Sequence, residues 1–179
     1  MAKSNRELLI TLGADTTKFQ QRIKRAKDLT KELDSNFKLL SSSSKNFESS
    51  LDGLAQKCKY LEERIQVANT ATDEYNRRLK EQQEMLNNAK SKFDMIQNEL
   101  KEMEECQKRS TDAAEWQQWQ TEIDKSKQEL EQVTNEMRTF QNAIISTNTA
   151  FNKNQTELQK MNSELAETKT KMSMLNRDK

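Results

Sequence analysis

The chain has 179 residues, a third of them charged and only 32% hydrophobic, with two glycines, no proline and no histidine. That balance leaves too little apolar material for a deep globular core and fits long amphipathic helices that pack as thin layers or self-associate. The 30 basic side chains nearly cancel the 29 acidic ones, so no overall field draws the chain to nucleic acid or to an anionic membrane.

The opening stretch, residues 6–12, reads RELLITL. Leu8, Ile10 and Leu12 fall on one side at period two, with Glu7, Leu9 and Thr11 opposite, which predicts a short β-strand. Gly13 then permits a turn, and Thr17 with Gln20 has the spacing of a capping box. Residues 1–16 are therefore expected to form a strand and cap. A lone strand is unstable in water, so Leu8, Ile10 and Leu12 are candidates for strand pairing with a partner or another copy.

A first amphipathic helix is expected over 17–40. Phe19, Ile23, Ala26, Thr30, Leu33, Phe37 and Leu40 follow at alternating steps of four and three, a single stripe. The first 31 residues carry eight basic side chains against three acidic ones, a net of +5. No aromatic interleaving accompanies this charge, so it reads as a solvated face and argues against nucleic acid. Residues 41–46 open with SSSS, whose hydroxyls compete for backbone hydrogen bonds and mark a turn.

From Phe47 an unbroken four-three rhythm runs through Leu51, Leu54, Cys58, Leu61, Ile65, Ala68, Thr72, Tyr75, Leu79, Gln82, Leu86, Ala89, Phe93, Ile96, Leu100 and Met103. That is a coiled-coil seam of roughly eight heptads. A second register covers Trp116, Trp119, Ile123, Ser126, Leu130, Val133, Met137, Phe140, Ile144, Thr147, Phe151, Asn154, Leu158, Met161, Leu165, Thr168, Met172 and Leu175. The registers are two residues out of phase, an offset that local rewinding of a coiled coil does not absorb. The polar run QKRSTD fills the gap, so a turn is expected near 109–112, with Asp112 and Glu115 at capping-box spacing.

The domain reading is thus a strand and cap, a first helix, a Ser-rich turn, and paired long helices within 47–175. The two arms, about 47–109 and 113–175, are each roughly 95 Å long at about 1.5 Å per residue. Matched arms across a short turn favour an antiparallel hairpin, with a kinked rod joined to other copies as the rival. The fold class is all-α coiled coil with a short N-terminal strand. Polar seam residues such as Gln82 and Asn154 are candidates for fixing partner register.

Nothing in this pattern carries chemistry. Cys58 and Cys106 have no histidine to activate them, Glu62/Glu63 and Glu104/Glu105 diverge on a helix, and no glycine-rich loop cradles a phosphate. No catalytic, cofactor-binding or metal-ligating residue and no small-molecule substrate is expected, so the chain is read as a non-enzyme. The apolar runs fall short of the roughly 18 residues of a membrane span, and the N-terminus lacks the apolar core of a signal peptide. Membrane contact is not expected.

Three segments resemble the N-terminal region of phage tail tape measure proteins: ELLITLGADTTKF, LTKELDSNFKLL with LAQKCKYLEERI, and AEWQQWQTEIDKSKQELEQV. The chain departs from that family at SSSSKNF, where relatives often carry a proline and glycine turn. The resemblance implies a virion structural protein that templates tail-tube assembly and sets tail length. It also implies partners (tail-tube protein, tail assembly chaperones and tail-tip proteins) and a location in the host cytoplasm during assembly, then in the tail lumen. Proteins of that family are usually far longer, and the seam is still running at MLNRDK, so a fragment or truncated prophage product is expected. The alternative is a non-phage cytoplasmic coiled-coil adaptor or spacer.

Overall fold

The computed structural model describes residues 5–177, with side chains from Thr16 onward. Three helices account for most of them: α1 (Asn5–Ser42), α2 (Leu51–Arg109) and α3 (Ala113–Arg177), with one 3₁₀ turn at Phe47–Ser49. The fold is all-α, and there is no strand among the described residues.

The expected N-terminal strand is therefore corrected. Residues 6–12 are helical, and α1 starts at Asn5 rather than near residue 17. The reason lies in backbone accounting: a strand without a neighbour leaves its N–H and C=O groups unpaired by protein, whereas a helix satisfies them within the segment. Once the stripe from Phe19 to Phe37 has nucleated a helix, extending it upstream gains about one hydrogen bond per residue fixed. Gly13, at a cost of about 1 kcal/mol relative to alanine, does not stop it. The strand-pairing role of Leu8, Ile10 and Leu12 loses its backbone basis, and their side chains lie outside the described residues.

α1 ends in its own serines. The Ser41, Ser42 and Ser43 hydroxyls donate to the carbonyls of Lys38, Leu39 and Leu40 at 3.1, 3.0 and 2.7 Å. The second long helix begins at Leu51, four residues later than the seam rhythm indicates, because Phe47–Ser49 makes a 3₁₀ turn first. Ser50, in extended conformation, caps α2 by accepting a hydrogen bond from the Gly53 N–H at 3.0 Å.

The break between α2 and α3 spans Ser110 to Asp112 and contains no positive-φ residue. The Ser110 N–H closes α2 onto the Cys106 and Gln107 carbonyls at 3.1 and 3.2 Å. Asp112 Oδ1 accepts from the Ala114 N–H at 3.2 Å, while Glu115 accepts from the Ser110 hydroxyl at 2.9 Å. Glu115 thus ties down the turn itself rather than reaching back to the cap backbone.

The chain divides into two compact units, one formed by the chain up to Arg78 together with the part from Thr149 onward, the other by Leu79–Asn148. In the second unit the two arms run antiparallel: Gln107 meets Gln120 at 2.9 Å, Ser126 meets Met103 at 3.7 Å, and Lys127 meets Glu104 at 3.8 Å. Its buried residues are Gln82, Leu86, Ala89, Ile96, Ile123, Val133, Phe140 and Thr147. Every one lies on the four-three seams. In the first unit α2 and α3 also run antiparallel, with Lys57 against Glu164 at 2.7 Å and Asn154 against Thr72 at 2.8 Å. There α1 adds a third helix, and residues off the seam, Ala71 and Arg78, become buried.

Candidate interaction surface

The first unit holds the most differentiated surface. α1 clasps α2 through two aromatic contacts spaced along its length. About midway along it Phe19 meets Tyr75 edge-on at 5.8 Å, and Ile23 packs with Ala71 and Tyr75. Near its end Phe37 stacks on Tyr60 at 4.1 Å and meets Phe47 edge-on at 5.6 Å. Offset and edge-on ring pairs add about 0.5–1.5 kcal/mol each beyond their burial.

Charged groups frame both contacts. Arg22 and Arg77 reach Glu74 at 2.6 and 3.1 Å. Burial pushes the Glu74 carboxyl up, but the two guanidinium hydrogen bonds and charges outweigh it and hold the group below its ordinary value. Arg78 is buried; its guanidinium lies 5.8 Å from the Phe19 ring centre and donates to the Thr16 hydroxyl at 2.5 Å. At the other end the Tyr60 hydroxyl donates to Asp34 at 2.7 Å, and Arg64 pairs with the same carboxylate. Burial, then the Asp34 hydrogen bond, pushes the Tyr60 hydroxyl up to about 12.

Gly53 is buried against the 3₁₀ turn, where an added Cβ would run into the Phe47 carbonyl and lie 2.9 Å from the Phe47 Cα. Only glycine lets Phe47 tuck over the start of α2 and meet Phe37. By propensity alone Gly53 costs its helix about 1 kcal/mol relative to alanine. Its two-sided packing has no signature at a single position.

Between α2 and α3 of this unit, Leu61, Leu158 and Met161 form the core, backed by Ile65, Ala68 and Leu165. Asn154 interrupts it, donating to the Ala68 carbonyl at 3.0 Å and to the Thr72 hydroxyl at 2.8 Å. This polar cluster spends its hydrogen bonds inside the chain. Gln82 differs: it is 4% exposed, and its Oε1 has no partner among the described residues.

The remaining seam residues sort by depth. Ile96, Ile123, Phe140 and Leu158 are buried, while Ile65, Leu79, Phe93, Leu100, Leu130, Ile144 and Leu165 are half-buried. Trp116 stands apart, 45% exposed, beside a half-buried Trp119. The Ser110, Asp112 and Glu115 hydrogen bonds close the turn that precedes it.

A groove of about 440 Å³ runs between α1 and α3 of this unit with α2 as its floor. Small side chains, Ala26, Ala68, Ala71 and Ala150, leave it hollow, and Lys27, Lys31 and Lys153 line it from the two flanking helices.

For covalent chemistry the side chains are poorly placed. Cys58 is buried, and burial pushes its thiol up, away from the thiolate form. Cys106 is exposed. Among the described residues no three His, Cys, Asp or Glu side chains gather as a metal would need, and no described helix is long and apolar enough to cross a membrane. No family model, no curated protein and no solved structure matches the chain.

Proposed function

We propose that the chain is a structural protein, the N-terminal part of a phage tail tape measure that templates tail-tube assembly and sets tail length. The observation that supports this reading most is the pair of uninterrupted helices of 59 and 65 residues, whose buried side chains fall almost wholly on one stripe each. At about 1.5 Å per residue they amount to roughly 90 and 100 Å of contour, length gained with little core. Two of the three segments that resemble the family are helical: LTKELDSNFKLL with LAQKCKYLEERI lies in α1 and α2, and AEWQQWQTEIDKSKQELEQV in the first turns of α3. The opening segment is helical here, so the weight rests on the other two.

The reversal at Ser110–Asp112 favours a second reading, a spacer arm of a larger assembly unrelated to phage, because arms folded against each other spend contour on stiffness rather than reach. One experiment divides the two. The reading frame is interrupted in its genome and particles are imaged after induction. Missing or aberrant tails support the tape measure; tails of normal length and number sink it.

A further inference from the structure

The hollow between α1 and α3 of the first unit is lined by unsatisfied positive charge. Lys27 and Lys31 line it from α1 and Lys153 from α3, and Lys24 and Lys38 share the helical flank of the first two at steps of 3 and 7. None of the five forms an ion pair among the described residues. Glu157, the one carboxylate among the lining residues, is engaged by Lys160 at 3.3 Å, and Asp34 further along α1 by Tyr60 and Arg64. The alanines of the lining, one from α1, two from α2 and one from α3, are small and apolar.

The complement of this groove occurs in the same sequence. Residues 94–105, DMIQNELKEMEE, carry five carboxylates against Lys101, a net of −4. Met95 is 62% exposed, and Glu99 and Glu102 follow it at steps of four and three on the same outward flank. Neither carboxylate has an ion-pair partner among the described residues. A methionine is the side chain best suited to an irregular apolar hollow.

We propose that the groove receives residues 94–105 of a second copy of the chain, with Met95 seated among the alanines and Glu99 and Glu102 against the lysine flank. The copy must be a second one: α2 is unbroken from Leu51 to Arg109 and cannot fold its own 94–105 back onto its own 68–71. The inference does not depend on the tape measure reading, since any helical scaffold could assemble through this face.

The test uses sedimentation equilibrium of the full chain at low ionic strength, with Lys27→Glu/Lys31→Glu as one variant and Glu99→Lys/Glu102→Lys as the other. Each is expected to weaken self-association by about tenfold or more, and an equimolar mixture is expected to restore association to within about threefold of the parent chain. Circular dichroism confirms that helix content is kept, and the milder Lys→Gln and Glu→Gln pairs should give smaller losses in the same direction. A monomeric parent chain, unchanged association in either variant, or a mixture that fails to recover overturns the proposal. So does binding of a single-stranded DNA oligonucleotide that needs Lys27 and Lys31 while the chain remains monomeric, because the groove would then serve a polyanion instead.

Discussion

The two units solve the same packing problem with different means. Leu79–Asn148 has two helices, and every buried side chain sits on a seam. The unit containing α1 has three, and its burial spreads to Ala71 and Arg78, which no heptad marks. A two-layer coil is stabilised by a line of contacts, so its energetics are local and repetitive. A third layer adds specific pairings, such as Phe19 on Tyr75 and Phe37 on Tyr60, that concentrate stability at a few points.

The largest test of this contrast is within the two-helix unit. Ile123→Ala empties a site that is 2% exposed, and it is expected to cost about 2–4 kcal/mol by urea denaturation. The same truncation at Ile145, which is 63% exposed, should stay within about 0.5 kcal/mol. Equal losses at both would show that the line of contacts is not where stability resides.

Gly53→Ala comes next. In an ordinary helix interior this change gains about 1 kcal/mol; here the Cβ meets Phe47 backbone, and a loss of about 1–3 kcal/mol is expected. A gain in the melting temperature would refute the close approach.

Ala71→Leu overfills the contact with Ile23 and should cost about 1–3 kcal/mol. The signature matters more than the size: amide exchange should speed up in residues 19–37 and remain unchanged in 113–148. Uniform acceleration would mean that the third layer is not separable.

The smallest effect is a pH effect. The Tyr60 hydroxyl is pushed up from its ordinary 10.0 to about 12. Below 10 both folded and unfolded chains keep the proton. Between 10 and 12 the unfolded chain releases it first, so this contribution to stability is full below 10 and is lost as pH rises through 12. Tyrosinate absorbance of the folded chain should therefore show no Tyr60 step near 10, and Asp34→Asn should bring that step down. Glu74 works in the opposite direction: its carboxyl is held low, so its contribution is present above its ordinary value and fades as pH falls through the folded one.

Much of this fold was legible because coiled-coil packing writes itself at regular steps. The seams name the buried residues of the two-helix unit, and the phase slip around QKRSTD marks where the chain reverses. The opening strand was misread because Leu8, Ile10 and Leu12 satisfy period two while Leu9 and the following helix satisfy a helical rhythm as well. Seven residues of side-chain pattern carry no information on whether a neighbouring strand exists. The clasp of α1 on α2 was not legible either. Ala71 is small and Arg78 is charged, so neither adds to an apolar periodicity, and only the approach of Phe19 and Ile23 makes them interior.

The glycine-free turn at Ser110–Asp112 also dictates an order of events in time. Contacts nearest it close short loops: Gln107 with Gln120 is 13 residues apart, Met103 with Ser126 is 23, and Ala68 with Asn154 is 86. Since closure entropy grows with loop length, the arms should zip outward from the turn, and the first helix should join only after its platform has formed. Pulse-labelled hydrogen exchange during refolding would then protect residues near 103 and 126 before those near 68 and 154. Simultaneous protection would make the long seams a single cooperative unit.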